Sequence, residues 1–123
     1  MAGIWAFVAT LVLGQLLSIA DVRAEQSGKA CTAGPSHREF GGTPWLVYAC
    51  DDGRSVVAVS APGSAAFPFY FFVSWGPLGL ELRGEGTGPK EATDAAYDEL
   101  KHLNQANLAA LFEAAQAAGA GTK

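Results

Sequence analysis

The hydrophobic rhythm changes several times along the chain. Residues 45–50 (WLVYAC) and 54–60 (RSVVAVS) are rich in β-branched and aromatic side chains and predict two strands. Between them stands Asp51-Asp52-Gly53, and glycine accepts the positive φ that a primed hairpin turn requires. A hairpin with Asp52-Gly53 as its two-residue loop is expected, with Asp51 facing Arg54. Residues 61–65 (APGSA) form a second turn. Residues 67–75 (FPFYFFVSW) predict a third strand. Its alternation sets Phe67, Phe69, Phe71, Val73 and Trp75 on one face and Pro68, Tyr70, Phe72 and Ser74 on the other. Gly76-Pro77 turns the chain into a fourth strand around residues 80–83. There Leu80 and Leu82 face one way, Glu81 and Arg83 the other.

Past the glycines of residues 84–88 the period lengthens. Pro89 suits the first position of a helix, and Ala92, Ala96, Leu100 and Leu103 recur at helical spacing with Tyr97 beside them. Asn104 resets the phase and can cap a second helix, whose inner stripe is Leu108, Leu111, Phe112 and Ala115. Residues 114–123 (AAQAAGAGTK) hold no large apolar side chain, so a flexible tail is expected over 118–123. Residues 25–44 are polar and glycine-rich and read as irregular chain. The predicted domain, residues 45–117, is α+β: a four-stranded antiparallel meander packed against a C-terminal helical hairpin.

The aromatic strand carries more apolar surface than a two-layer domain needs, because a sheet covered on one side should show one polar face. Either both faces are buried, the second beneath the segment pinned by Cys31, or the strand presents a contact surface. The heavier face belongs to the core. Tyr70 and Phe72 are then the candidate binding residues, and tyrosine's hydroxyl tolerates water at an interface.

Residues 4–20 form an apolar run, followed by Val22 and Ala24 at spacing suited to signal-peptidase cleavage. No Lys or Arg precedes Ile4, and a retained anchor is the alternative to a signal peptide over residues 1–24. Cleavage implies a periplasmic or secreted protein. The net charge is −4 with 8 basic and 12 acidic side chains and no basic stripe. No nucleic acid is expected as a partner, and no membrane after cleavage. The two cysteines, Cys31 and Cys50, are expected to form one disulfide in an oxidising compartment.

Little of the remaining sequence has the spacing of a catalytic or ligand site. Gly84-Glu85-Gly86-Thr87-Gly88-Pro89-Lys90 looks like a phosphate cradle but fails on spacing. A P-loop requires glycine directly before its lysine and Ser or Thr after it, and the dinucleotide fingerprint needs glycine where Pro89 stands. These glycines are expected to let the chain leave the sheet and lay a helix across it. Asp51-Asp52 could serve calcium or acid–base chemistry, but lacks further oxygen ligands at loop spacing, so turn chemistry is the better reading. Glu81 and Glu85 could join them as hydrolytic carboxylates. Asp94 and Asp98 read as a solvated helix face. His37 lies in the irregular segment and His102 near a helix end, with no nucleophile elbow. No catalytic residue, metal or cofactor is assigned.

Two resemblances bear on function. VYACDDGRSVVAVSAPGS, an aromatic strand, GEGTG and a Leu/Ala helix resemble small exported bacterial proteins of no assigned activity. Tyr48-Ala49-Cys50-Asp51-Asp52-Gly53 is similar to the Tyr-x-Cys-x-x-Gly stretch of the secreted inhibitors of C-type lysozyme. That family is an all-β barrel, which this chain leaves by ending in two helices. The resemblance implies an inhibitory role carried by Tyr48 or its neighbours. The expected function is a small exported binding module using the aromatic strand, its partner another envelope or secreted protein or a second copy. The alternative is a small secreted hydrolase or an inhibitor of an envelope-active enzyme.

Overall fold

Five consecutive strands each pair with their sequence neighbours to form one antiparallel sheet, in the computed structural model that describes residues 30–121. The leader assigned to residues 1–24 lies outside the described residues, as do residues 25–29 and the last two. The strands are β1 (Cys31–Phe40), β2 (Thr43–Cys50), β3 (Val56–Ser60), β4 (Phe69–Gly76) and β5 (Gly79–Gly86). Two helices follow, α1 (Lys90–Leu100) and α2 (Gln105–Gly121). The class is α+β with one disulfide, Cys31–Cys50.

The sheet has five strands where the sequence predicts four. The extra one is β1, in chain read as irregular. Its signal is weak because an edge strand needs only one partner and Ser36-His37-Arg38-Glu39 show no apolar alternation. Pairing comes instead from its ends. Cys31 is bonded to Cys50 opposite it. At the other end Gly41-Gly42, with φ of 64° and 78°, close a two-residue hairpin of the primed type that matches strand twist. One register break lies between Cys31 and Ala33, and a second, between Ala33 and Ser36, spans Gly34-Pro35.

The β2–β3 connection also differs. Cys50 N–H donates to the Ser55 carbonyl at 2.9 Å, and Gly53 N–H to the Cys50 carbonyl at 3.4 Å. Residues 51–54 are thus all loop, and Asp51 and Arg54 do not form its flanking pair. Asp52 shapes it: Oδ1 accepts the Arg54 and Ser55 amides at 3.0 and 2.8 Å, and Oδ2 accepts the Ser55 hydroxyl.

Both helices lie on one face of the sheet. Trp45, Val47 and Ala49 of β2, Val56 and Ala58 of β3, and Phe71 and Val73 of β4 meet Ala96 and Leu100 of α1. The predicted stripe of α2, Leu108, Leu111, Phe112 and Ala115, is buried there as expected. Trp45 is fully buried, packs at a tilt with its ring centroid 5.3 Å from that of Phe71, and donates its indole N–H to the Phe40 carbonyl at 3.1 Å. Asn104 caps α2 reciprocally: its Oδ1 accepts Asn107 N–H at 2.7 Å, and Asn107 Oδ1 accepts Asn104 N–H at 3.1 Å.

Two helix ends depart from expectation by small amounts. Pro89 stands one residue earlier than predicted, at the N-cap of α1. Residues 118–121, read as tail, continue α2. A Cβ on Gly119 would lie 2.8 Å from the Gly34 amide nitrogen, so the small residues of this stretch let the helix approach β1 closely.

Candidate functional site

Opposed residues of an antiparallel pair share a face, so the strand register maps the side of the sheet away from the helices. One cross-strand row runs His37, Leu46, Val59, Tyr70, Glu85. The next runs Tyr48, Val57, Phe72, Arg83. Six apolar or aromatic side chains therefore occupy the middle of this face. Leu46, Tyr48, Val57, Val59 and Phe72 are half-buried and Tyr70 is 42% exposed.

This answers the question raised by the aromatic strand. Phe71 and Val73 are buried, and Phe69 and Trp75 pack beside them, as the alternation predicts. Phe67 does not join them. β4 begins only at Phe69, whose N–H donates to Ser60 Oγ at 2.9 Å, and Phe67 is 53% exposed. The chain from Cys31 does not lie across Tyr70 and Phe72 either. It forms β1 at the sheet edge, with β2 and β3 between it and β4.

A groove of about 580 Å³ opens on this face, lined by Val57, Val59, Phe67, Pro68, Tyr70 and Glu85 among others. Its floor is the valine pair of β3, and Phe67-Pro68 forms one wall. The Tyr70 hydroxyl donates to Glu85 Oε1 at 3.2 Å, linking two residues of the groove lining. Beside it the Arg83 guanidinium sits 5.1 Å from the Phe72 ring centroid. A second depression lined by Cys31, Val57, Phe72, Glu81 and Arg83 continues the band. Such a surface offers apolar and aromatic contact with a charged rim.

That Tyr70 and Phe72 share the face opposite Phe71 and Val73 was legible from parity alone. Val57 and Val59 were not singled out, although their signal was present: in VVAVS they form a wholly apolar alternating set beside Val56 and Ala58 of the other. The contribution of Phe67 and Pro68 depends on where β4 starts, which no local pattern indicates.

The other candidates stay apart. His37 is exposed on β1 and His102 is exposed after α1. Asp51 is exposed, while Asp52 is held by the loop, and Ser55 Oγ is bonded at 2.8 Å to Ser74 Oγ in a buried polar cluster. Asp94 pairs with Lys90 at 3.4 Å and Asp98 with Lys101 at 3.2 Å, both at the surface. Thr87 and Gly88 spend their amides on the Pro68 carbonyl at 3.0 and 2.9 Å, so the glycine stretch binds the chain itself. Among the described residues no three His, Cys, Asp or Glu side chains come together as a metal site. A second cleft of about 340 Å³ lies at the start of α2, between Arg54, Trp75, Gln105, Leu108, Phe112 and Glu113.

Among the described residues no helix is long and apolar enough to cross a membrane. Comparison of the chain with protein-family models, with curated proteins and with solved structures finds no match.

Proposed function

We propose that this chain is an exported binding module whose partner seats on the open face of the sheet, centred on Tyr70 and Phe72. One observation carries the reading. A sheet with helices on one side is expected to be polar on the other, yet here Leu46, Tyr48, Val57, Val59, Tyr70 and Phe72 lie together on that side. Contiguous apolar patches with polar rims are characteristic of interaction sites. Export is supported by the apolar run of residues 4–20, by the small residues at Val22 and Ala24, and by the disulfide. The partner suited to this face is another exported protein with a complementary apolar surface. Tyr48, one of the residues shared with the lysozyme-inhibitor motif, sits on the same face opposite Val57.

The test replaces Tyr70 by a photo-crosslinking phenylalanine derivative in the producing cell, with Glu113 on the exposed side of α2 as control. A discrete protein adduct from position 70 and none from 113 is expected. Tyr70→Ala and Phe72→Ala should each weaken that association by about 1–3 kcal/mol and leave the protein folded. No adduct, or the same adduct from both positions, overturns the reading.

A further inference from the structure

We propose that two copies of this chain join edge to edge through β5, antiparallel and centred on Leu82, to make one continuous sheet. The inference stands on the edge strand and does not depend on the open-face reading.

A sheet has two edges, and this one protects the first more fully. β1 carries two register breaks and Pro35, and presents Arg38. Helix α2 also packs against it, with Gly119 close to Gly34. These are the devices by which edge strands avoid pairing with other chains. β5 also presents charges, at Glu81, Arg83 and Glu85, but has no register break. Its pairing with β4 runs unbroken through eight pairs, from Phe69↔Gly86 to Gly76↔Gly79. It contains no proline or lysine, and residues 83–86 are all exposed.

The turn settles which backbone groups point outward. Pro77-Leu78 is a two-residue loop, so the flanking Gly76 and Gly79 form a closely bonded pair. Alternate residues Glu81, Arg83 and Glu85 then bond to β4. Leu80, Leu82 and Gly84 direct their N–H and C=O groups away from the sheet, where only another strand or water can meet them.

The side chains of β5 are complementary to themselves. An antiparallel pair centred on Leu82 sets Arg83 opposite Glu81 of the second copy, and Glu81 opposite its Arg83. Both contacts fall at the non-hydrogen-bonded positions, where cross-strand side chains are closest. On the helix side the half-buried Leu82 meets its own copy, and Leu80 stands over the exposed Gly84. Centring on Arg83 instead would oppose Arg83 to itself and Glu81 to Glu85, a pairing of like charges. Centring on Gly84 would pair Arg83 with Glu85, but would carry much of β5 beyond the overlap.

Sedimentation velocity of the purified, disulfide-intact protein between about 1 µM and 1 mM tests this. The wild type should show a reversible dimer that weakens as salt is raised. Arg83→Glu and Glu81→Arg should each weaken it about tenfold, because symmetry turns two attractive pairs into two repulsive ones. The double variant Glu81→Arg/Arg83→Glu should restore the dimer. Both positions are exposed, and unchanged near-ultraviolet circular dichroism will show that the variants fold. Glycine variants are avoided because a Cβ on Gly84 would meet the Phe69 and Phe71 rings within 3 Å. Tyr70→Ala should leave the dimer intact even if it abolishes partner binding. A monomeric wild type at every concentration overturns the proposal. So does a double variant as weak as the singles, or a dimer lost on Tyr70→Ala.

Discussion

Replacing Asp52 by alanine should destabilise the fold by about 2–4 kcal/mol, while Asp51→Ala should cost about 0.5 kcal/mol or less. The two residues are neighbours of identical chemistry, so the contrast isolates what the loop does with a carboxylate. Asp52 Oδ1 accepts the amides of Arg54 and Ser55, and Oδ2 accepts the Ser55 hydroxyl. The Arg54 amide is exposed and can turn to water, so its loss costs little. The Ser55 amide is partly buried and the Ser55 residue is fully buried. Each of those two bonds, made to a charged acceptor, contributes about 1–2 kcal/mol. The ion pair with Arg54 is 4.0 Å long with the Arg54 side chain 67% exposed, and it adds little. Ser55 can redirect its hydroxyl to Ser74, 2.8 Å away, which keeps the cost from rising further. Asp52→Asn retains an acceptor for both amides and should lose only about 1 kcal/mol. Urea unfolding followed by the fluorescence of buried Trp45, with the disulfide intact, measures all three. Equal losses for Asp51→Ala and Asp52→Ala, or a neutral Asp52→Ala, would refute this account of the loop.

Two further outcomes follow from other parts of the fold. The Cys31→Ser/Cys50→Ser variant should lose about 3 kcal/mol, because the bridge closes a loop of sequence separation 19. Unmodified cysteines after alkylation without reductant, and a lowered urea midpoint for the variant, check this; two freely alkylated thiols would contradict it. Gly88→Ala should cost about 2–3 kcal/mol, since its Cβ would lie 1.9 Å from the Ala66 carbonyl oxygen. A Gly88→Ala protein as stable as wild type in the same urea titration would contradict the close approach of this turn to residues 66–68.

What the sequence determined by itself is what depends on local period. Alternation in FPFYFFVSW divided Phe71 and Val73 from Tyr70 and Phe72, because successive side chains of any strand point oppositely. The α2 stripe and its Asn104 cap were legible for the same kind of reason, since both depend on residues within a turn or two of each other. With only two cysteines, the bridge between Cys31 and Cys50 had one arrangement. Composition also limited the chemistry, because Pro89 removes an amide where an anion cradle needs one.

Tertiary structure decided whatever depends on the neighbour across space. β1 has no strand pattern of its own and becomes a strand because β2, the disulfide and the Gly41-Gly42 turn hold it there. Gly41 N–H is bonded to Glu99 of α1 at 2.8 Å, a partner 58 residues away. The end of α2 stays helical because glycine and alanine fit closely against β1, a fact about the gap and not about helix propensity. Parity could name the two faces of β4, but the placement of both helices on one side of the sheet left Tyr70 and Phe72 open. Burial is a property of pairs of distant elements, and a period of two or of 3.6 residues carries no information about which distant element arrives.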